Sequence, residues 1–168
     1  LSTAQLSALS TAAISALTTA QWVYGVSSDI QGLGTSQIVA LTTEQAGVIT
    51  SLQASVLGTA QIAALESVDA QALSTLAVLT LTTAQLAALS TAAVSALTTA
   101  QISFGVSSDL YGLGTAQLSA LTTKQTAVFS SQQLDGLVTA QLSALSPSQL
   151  EVISAAAIVG IGADIVGL

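Results

Sequence analysis

No cysteine, histidine or methionine occurs among the 168 residues, and Lys124 is the one basic side chain. Without cysteine there can be no disulfide and no thiolate metal site. A chain lacking both sulfur residues also has little to lose in an oxidising medium. Without histidine, a serine or threonine nucleophile lacks its usual base, and only Lys124 is left for a Ser–Lys dyad. We therefore expect no enzyme, and assign no catalytic, cofactor-binding or metal-binding residue. A net charge of −7 with one cation argues against nucleic acid, because neutralising phosphates takes several Lys or Arg. Charged residues make up 5% of the chain, against about a quarter in typical soluble proteins. The surface must then be built of Ser, Thr, Gln and Ala. Long apolar runs are missing too. A membrane-spanning helix needs roughly 20 apolar residues in succession, and Ser/Thr pairs interrupt every stretch. The nearest approach, Ala155 to Leu168, is short and carries Asp164. No membrane span is expected.

What the chain does contain is one eight-residue phrase, Leu-Ser/Thr-Thr-Ala-Gln-Leu/Ile-Ser-Ala, written 21 times without remainder. Leu1, Leu9, Leu17, Leu33 and Leu41 open successive octads, and Gly25 and Gly105 are the two breaks in that apolar column. The chain begins and ends in register with the repeat and carries no start Met or signal peptide, so it reads as a stretch of a longer array.

A continuous helix would advance about 80° beyond two turns per octad, so the Leu column would wind around it. A continuous strand fails as well, because positions 1 and 6 have opposite parity and would face opposite ways. The chain must turn once per octad. Position 2 is Ser or Thr in 13 octads and Gly in four, and position 5 is Gln in 13. That spacing is a capping box, with position 2 as the N-cap and Gln as the N3 residue reaching back. Nine octads have both halves: Ser2/Gln5, Thr18/Gln21, Thr42/Gln45, Thr50/Gln53, Thr82/Gln85, Thr98/Gln101, Thr122/Gln125, Ser130/Gln133 and Ser146/Gln149. Positions 1 and 6 are then N′ and N4, the partners of a hydrophobic staple. Pro147, the single proline, falls at N1, where a missing amide costs nothing. Each octad therefore reads as a helix of about one and a half turns, too short to stand alone. The expected fold is all-α, a solenoid with one short helix per repeat. The alternative is a β-solenoid, favoured by the Thr-Thr pairs.

Longer periods overlie the octad. Residues 9–21 return as 89–101, GVSSDI at 25–30 as GVSSDL at 105–110, and GLGTSQ at 32–37 as GLGTAQ at 112–117. The offset is 80 residues, so 1–168 is read as a single solenoid with a duplication, 1–80 and 81–160, and a further repeat beginning at 161. The octads nearest consensus start at Leu9, Leu33, Leu57 and Leu81, every third one. Between them come Val23, Tyr24, Glu44, Leu52, Val68 and Leu76. This predicts a coil of three octads, with the regular octad on one side of a triangle; two octads per coil is the alternative. At about 10 Å per layer, seven layers give a rod of roughly 70 Å.

Several residues invite a functional reading. Asp29 and Asp109, with neighbouring serines, suggest cation ligands, but one carboxylate per site is too few for calcium. A delayed helix start at Ser27 or Ser28, with glycine taking an unusual backbone angle, explains the motif better. Glu66 and Asp69 fall at the cap and N3 positions, where negative charge suits a helix start. Trp22, Tyr24, Phe104 and Tyr111 lie in the irregular octads and are expected to fill the core or pack coil on coil. Thr at position 3 recurs and could form a hydroxyl ladder, although capping accounts for the same residues.

The L-[ST]-T-A-Q-[LI]-x-A phrase resembles tandem arrays of large exported, adhesin-like bacterial proteins. The resemblance covers about 19 octads and fades in ISAAAIVG and IGADIVGL, which lack Gln. It implies an extracellular or cell-surface location. The leading expectation is a structural spacer or scaffold within a larger secreted protein. The alternative is a binding module presenting a regular Thr/Ser/Gln face to ice, glycan or another solenoid. Neighbouring repeats are the expected partners. Ile158, Ile161, Ile165 and Leu168 look uncapped, which predicts end-to-end self-association.

Overall fold

The computed structural model describes residues 1–105, 110–153 and 157. Among them there is no strand, and the octads form short helices, most beginning at position 3: Thr3–Ser7, Thr11–Ser15, Thr35–Val39, Thr43–Gly47 and so on to Pro147–Glu151. The fold is an all-α solenoid, and the β alternative is set aside.

The corner between helices is two extended residues. Position 8 closes the helix, position 1 turns out, and position 2 caps the next helix. Leu57 (φ −64°, ψ 135°) and Gly58 (φ −73°, ψ 157°) are one example. The position-1 amide bonds back to the position-6 carbonyl, as Leu9 does to Leu6 at 3.1 Å and Leu89 to Leu86 at 3.2 Å. This bond satisfies one of the carbonyls orphaned at a helix end. All nine capping boxes form, eight of them flanking α-helices. At the ninth, Gln101 receives the Thr98 amide at 2.7 Å and gives its own amide to the Thr98 hydroxyl at 3.1 Å. Pro147 sits in the first turn behind its Ser146 cap.

Each helix packs on the helix three octads away. Ser67–Ala72 lies between Thr43–Gly47 and Thr91–Ala96, and Thr83–Ala88 packs on Thr59–Ala63. Three octads, 24 residues, therefore make one coil with three sides. The consensus octads at Leu9, Leu33, Leu57 and Leu81 stack on a single side. Because ten octads do not divide by three, the second copy of the duplication is turned one side around. Gly32 lies against Thr3 on the first side, and its counterpart Gly112 lies against Thr83 on the second.

Position 6 fills the centre of the triangle. Leu6, Ile14 and Trp22 close the first coil, Ile30, Ile38 and Ala46 the second, and Val78, Leu86 and Val94 the fourth, all fully buried. Position 1 seals each corner, and one continuous apolar cluster runs from Leu6 to Ala157. Burying a Leu or Ile side chain contributes about 1.5–3 kcal/mol, so the stack carries helices that could not persist alone. Trp22 fits with one flaw: its indole N–H finds no acceptor, which costs about 1–3 kcal/mol.

At Gly25 the structure departs from expectation. The helix Thr19–Gly25 runs through it, and a 3₁₀ helix, Ser27–Gly32, follows. The 3₁₀ helix begins at Ser27, position 3 of its octad as in its neighbours, so the expected delay is absent, and Gly25 continues a helix instead of adopting an unusual angle. Gly105 likewise ends a π-helical segment, Gln101–Gly105.

Candidate functional surface

The most organised chemistry in the chain belongs to position 5. The Oε1 atom of each Gln accepts the amide of its own cap residue, while Nε2 reaches the coil beneath. Gln45 Nε2 donates to the Ile14 carbonyl at 2.8 Å and the Leu17 carbonyl at 2.7 Å. Gln85 does the same to Ala54 (2.9 Å) and Leu57 (2.7 Å), and Gln125 to Val94 (2.9 Å) and Leu97 (2.7 Å). In these pairs the acceptors are 31 and 28 residues earlier, the end of one helix and the following corner; Gln141 varies the pattern, donating to Tyr111 and Leu113, 30 and 28 residues back. One carboxamide thus starts its own helix and clips it to the coil below. These glutamines are buried, Gln45 and Gln53 to 1% exposure.

Sequence reasoning found the cap half of this arrangement and missed the clip. A signal was available, because no octad has Glu at position 5. A capping box accepts Glu as readily as Gln, but a carboxylate has no donor for the carbonyls below. The consequence for a regular Thr/Ser/Gln face is direct: from the second coil upward the position-5 glutamines are interior, so the repeating part of such a face is Thr and Ser.

Those hydroxyls are of two kinds. Position 2 supplies the caps, as Thr82 does to the Gln85 amide at 3.3 Å and Ser90 to the Ala93 amide at 3.0 Å. Among the described residues, position 3 caps no helix. Thr11, Thr35 and Thr59 stand exposed at N1 on the consensus side, with half-buried Thr83 continuing the column. Capping was expected to explain both positions, and it explains only the first. Layers of stacked helices put such hydroxyls about 8–10 Å apart, beside Ala12, Ser36, Ala60 and Ala84.

Acidic side chains gather on the third side. Asp69 takes the Gln position of its octad and is 2% exposed. Glu66, the N-cap, makes no side-chain cap bond, and Glu44 lies in the helix Thr43–Gly47 packed beneath. Burial, aided by Glu66 and Glu44, raises the Asp69 pKa above the usual carboxylate range against the opposing Thr43 hydrogen bond. Asp29 is half-buried in the 3₁₀ helix, and Asp109 lies outside the described residues. Among the described residues no three acidic groups are placed to hold a metal ion.

The aromatics part company. Trp22 is core, as expected. Tyr24, Phe104 and Tyr111 instead point outward at 87%, 69% and 51% exposure, which corrects their assignment to core filling. Tyr111 keeps a coil-to-coil role, with its ring edge 3.8 Å from where a Cβ on Gly136 would stand. Tyr24 and Phe104, counterparts in the duplication, fall on different sides and form no common face. Ile158, Ile161, Ile165 and Leu168 lie outside the described residues. Among the described residues no helix is long and apolar enough to cross a membrane.

No curated protein and no solved structure matches the chain. Residues 62–103 do match a family model, that of the ALTTAQ repeat, and they include Gln85 and Gln101, two of the clipping glutamines. The chain is a tandem-repeat protein, similar over that stretch to the ALTTAQ repeat family.

Proposed function

We propose that this solenoid is a structural module, a spacer or scaffold within a larger secreted or cell-surface protein, with no catalytic role. The observation that carries the reading is the recurrence of one clip, carboxamide to the carbonyls 31 and 28 residues back, from Gln37 to Gln149. A junction that recurs on one geometry, although residues such as Asp69, Ala77 and Ala93 take the place of its glutamine, can be extended by adding coils, which is what a spacer requires. The test is to delete one coil, residues 57–80, from the parent protein. Small-angle scattering should register a rod shorter by one layer, about 10 Å, with every activity of the parent retained. Loss of a particular activity would refute a spacer role for that coil.

A second reading rests on the position-3 threonines, which face solvent without serving as caps. A column such as Thr11, Thr35 and Thr59 suits a repetitive partner such as ice, glycan or another solenoid. An ice-recrystallisation assay and a glycan array address the first two, and negatives in both would leave only solenoid pairing. End-to-end self-association belongs to the same proposal: Gln5 and Gln21 are exposed and offer to a further coil the donors that other coils use internally. Sedimentation velocity across a concentration series would read it.

A further inference from the structure

We infer that the junction between the second and third coils on the third side is a protonation-operated clip, with Asp69 as its moving part. The register places Asp69 where Gln45 and Gln101 stand in their octads. Its counterpart acceptors, 31 and 28 residues back, are the carbonyls of Ile38 and Leu41. A glutamine would donate to both. An ionised aspartate has only acceptors to offer, and the Thr43 hydroxyl is the one group beside it that favours the charge. A neutral carboxyl has one O–H donor and can serve one of the two carbonyls, half of what a carboxamide supplies.

The surroundings favour the neutral form. The helix beneath, Thr43–Gly47, brings Glu44 and the Thr43 hydroxyl. Asp69's own helix, Ser67–Ala72, has Glu66 at its N-cap position. The helix above, Thr91–Ala96, and the neighbours Thr59–Ala63 and Thr75–Leu79 bring no titratable group. Lys124 lies three coils further on and on another side. Burial first, then the two glutamates, lift the Asp69 pKa, and the Thr43 hydrogen bond opposes them. The folded chain therefore holds this proton more tightly than the unfolded chain. Its contribution to stability is complete below the ordinary aspartate range and is lost as pH climbs through the raised value. The junction closes as pH falls and loosens as pH rises through the raised value, while the glutamine junctions do not change.

Hydrogen exchange of the full chain, corrected for intrinsic rates, tests this over peptides covering residues 38–44 and 66–73. As pH is lowered from neutrality towards the ordinary aspartate range, protection there should rise roughly tenfold, the effect of one buried hydrogen bond. The Gln125 junction, residues 94–97, should not change. Asp69→Gln should be at least as protected at neutrality as the wild type is in acid, and independent of pH. Asp69→Asn, which keeps the aspartate shape and a permanent donor, should also lose the pH dependence, so the test survives if the longer side chain does not fit. Protection in the wild type that is flat or rises with pH would overturn the proposal. So would a pH dependence at these peptides that persists in both variants.

Discussion

The first coil and the coils stacked on it are written in the same phrase yet use it differently. Gln5 and Gln21 accept the amides of Ser2 and Thr18 at 2.8 and 2.9 Å, as Gln45 accepts that of Thr42 at 3.0 Å. All three are complete caps. In this structure residues 1–24 have no coil beneath them, so Gln5 and Gln21 are exposed, while Gln45 is buried and clipped. The difference separates two energies that one side chain combines. A cap is local and has the same worth wherever the helix stands. A clip exists only where another coil lies below, and it buries its donor, so removing the donor strands carbonyls away from water.

The sharpest way to break this comparison is Gln→Glu in both settings. At Gln125 the change removes the donor to Val94 and Leu97 and leaves a carboxylate facing carbonyls. We expect a cost of about 3–5 kcal/mol, the range for an uncompensated buried charge. At Gln5 the cap is kept and the group stays in water, so the change should fall within about 0.5 kcal/mol. Denaturant unfolding of the two full-length variants makes the measurement, with midpoints compared because long repeat arrays need not unfold in two states. Equal losses would show that the clip adds nothing to the cap. The Gln125→Glu loss should also shrink in acid, where the neutral carboxyl recovers a donor.

The glycines between coils provide the next test. A Cβ on Gly32 would stand 2.6 Å from the Thr3 carbonyl oxygen and 2.7 Å from its Cα, both backbone atoms. On Gly112 it would stand 3.0 Å from the Thr83 Cα. Alanine at either position forces the coils apart, at about 1–3 kcal/mol, with Gly32→Ala the costlier. The sites differ in what they release. Gly32→Ala should expose the amides of residues 3–7 to exchange and leave the rest protected, because one end coil loosens. Gly112→Ala, with coils on both sides, should lower the global midpoint. Matching exchange patterns would contradict the layered view.

Much of this was legible in the sequence because the determinants are short-range. Cap, staple and Pro147 all act within five residues, so the octad alone specifies where a helix starts and where the chain turns. The three-octad coil was legible from the regular octads at every third position, since one side of the triangle keeps small residues. The clip was not legible as such, because it joins residues 28 and 31 apart and uses the same Gln that the cap already explained. Only the avoidance of Glu carried a trace of it. The outward turn of Tyr24 and Phe104 was hidden for a related reason. Both occupy position 8, which varies in exposure with the residue stacked on it. Ala64 there is half-buried, while the larger Phe104 projects. The role of Asp69 became visible only once its octad was placed in the stack.

A cap tested without a clip should behave alike in both regions. Ser10 and Ser90 are duplication counterparts in octads whose fifth residue is Ala13 or Ala93, so neither helix has a carboxamide. Their hydroxyls accept the Ala13 and Ala93 amides at 3.2 and 3.0 Å. Replacing either by Ala should cost about 1 kcal/mol, the same in the first coil as in the fourth. A much larger loss at Ser90 would mean that capping energy depends on stacking.

The smallest effect runs in the opposite direction. Gly58 caps the helix Thr59–Ala63 with its amide given to Gln61 Oε1 at 2.7 Å, but it has no hydroxyl to receive the Gln61 amide. Its backbone, φ −73° and ψ 157°, is that of the serine caps, and a Cβ would meet only Gln61 Oε1 at 3.5 Å, an ordinary contact. Gly58→Ser should therefore complete the box without moving the coil. The gain is a few tenths of a kcal/mol, because glycine is itself a fair cap. Introduced together at Gly34, Gly58 and Gly114, which share the geometry, the three serines should raise the unfolding midpoint additively, since each cap acts on its own helix. A gain at one position and a loss at another would mean that glycine is kept there for the approach of a neighbouring coil, and the equivalence of caps across the solenoid would fail.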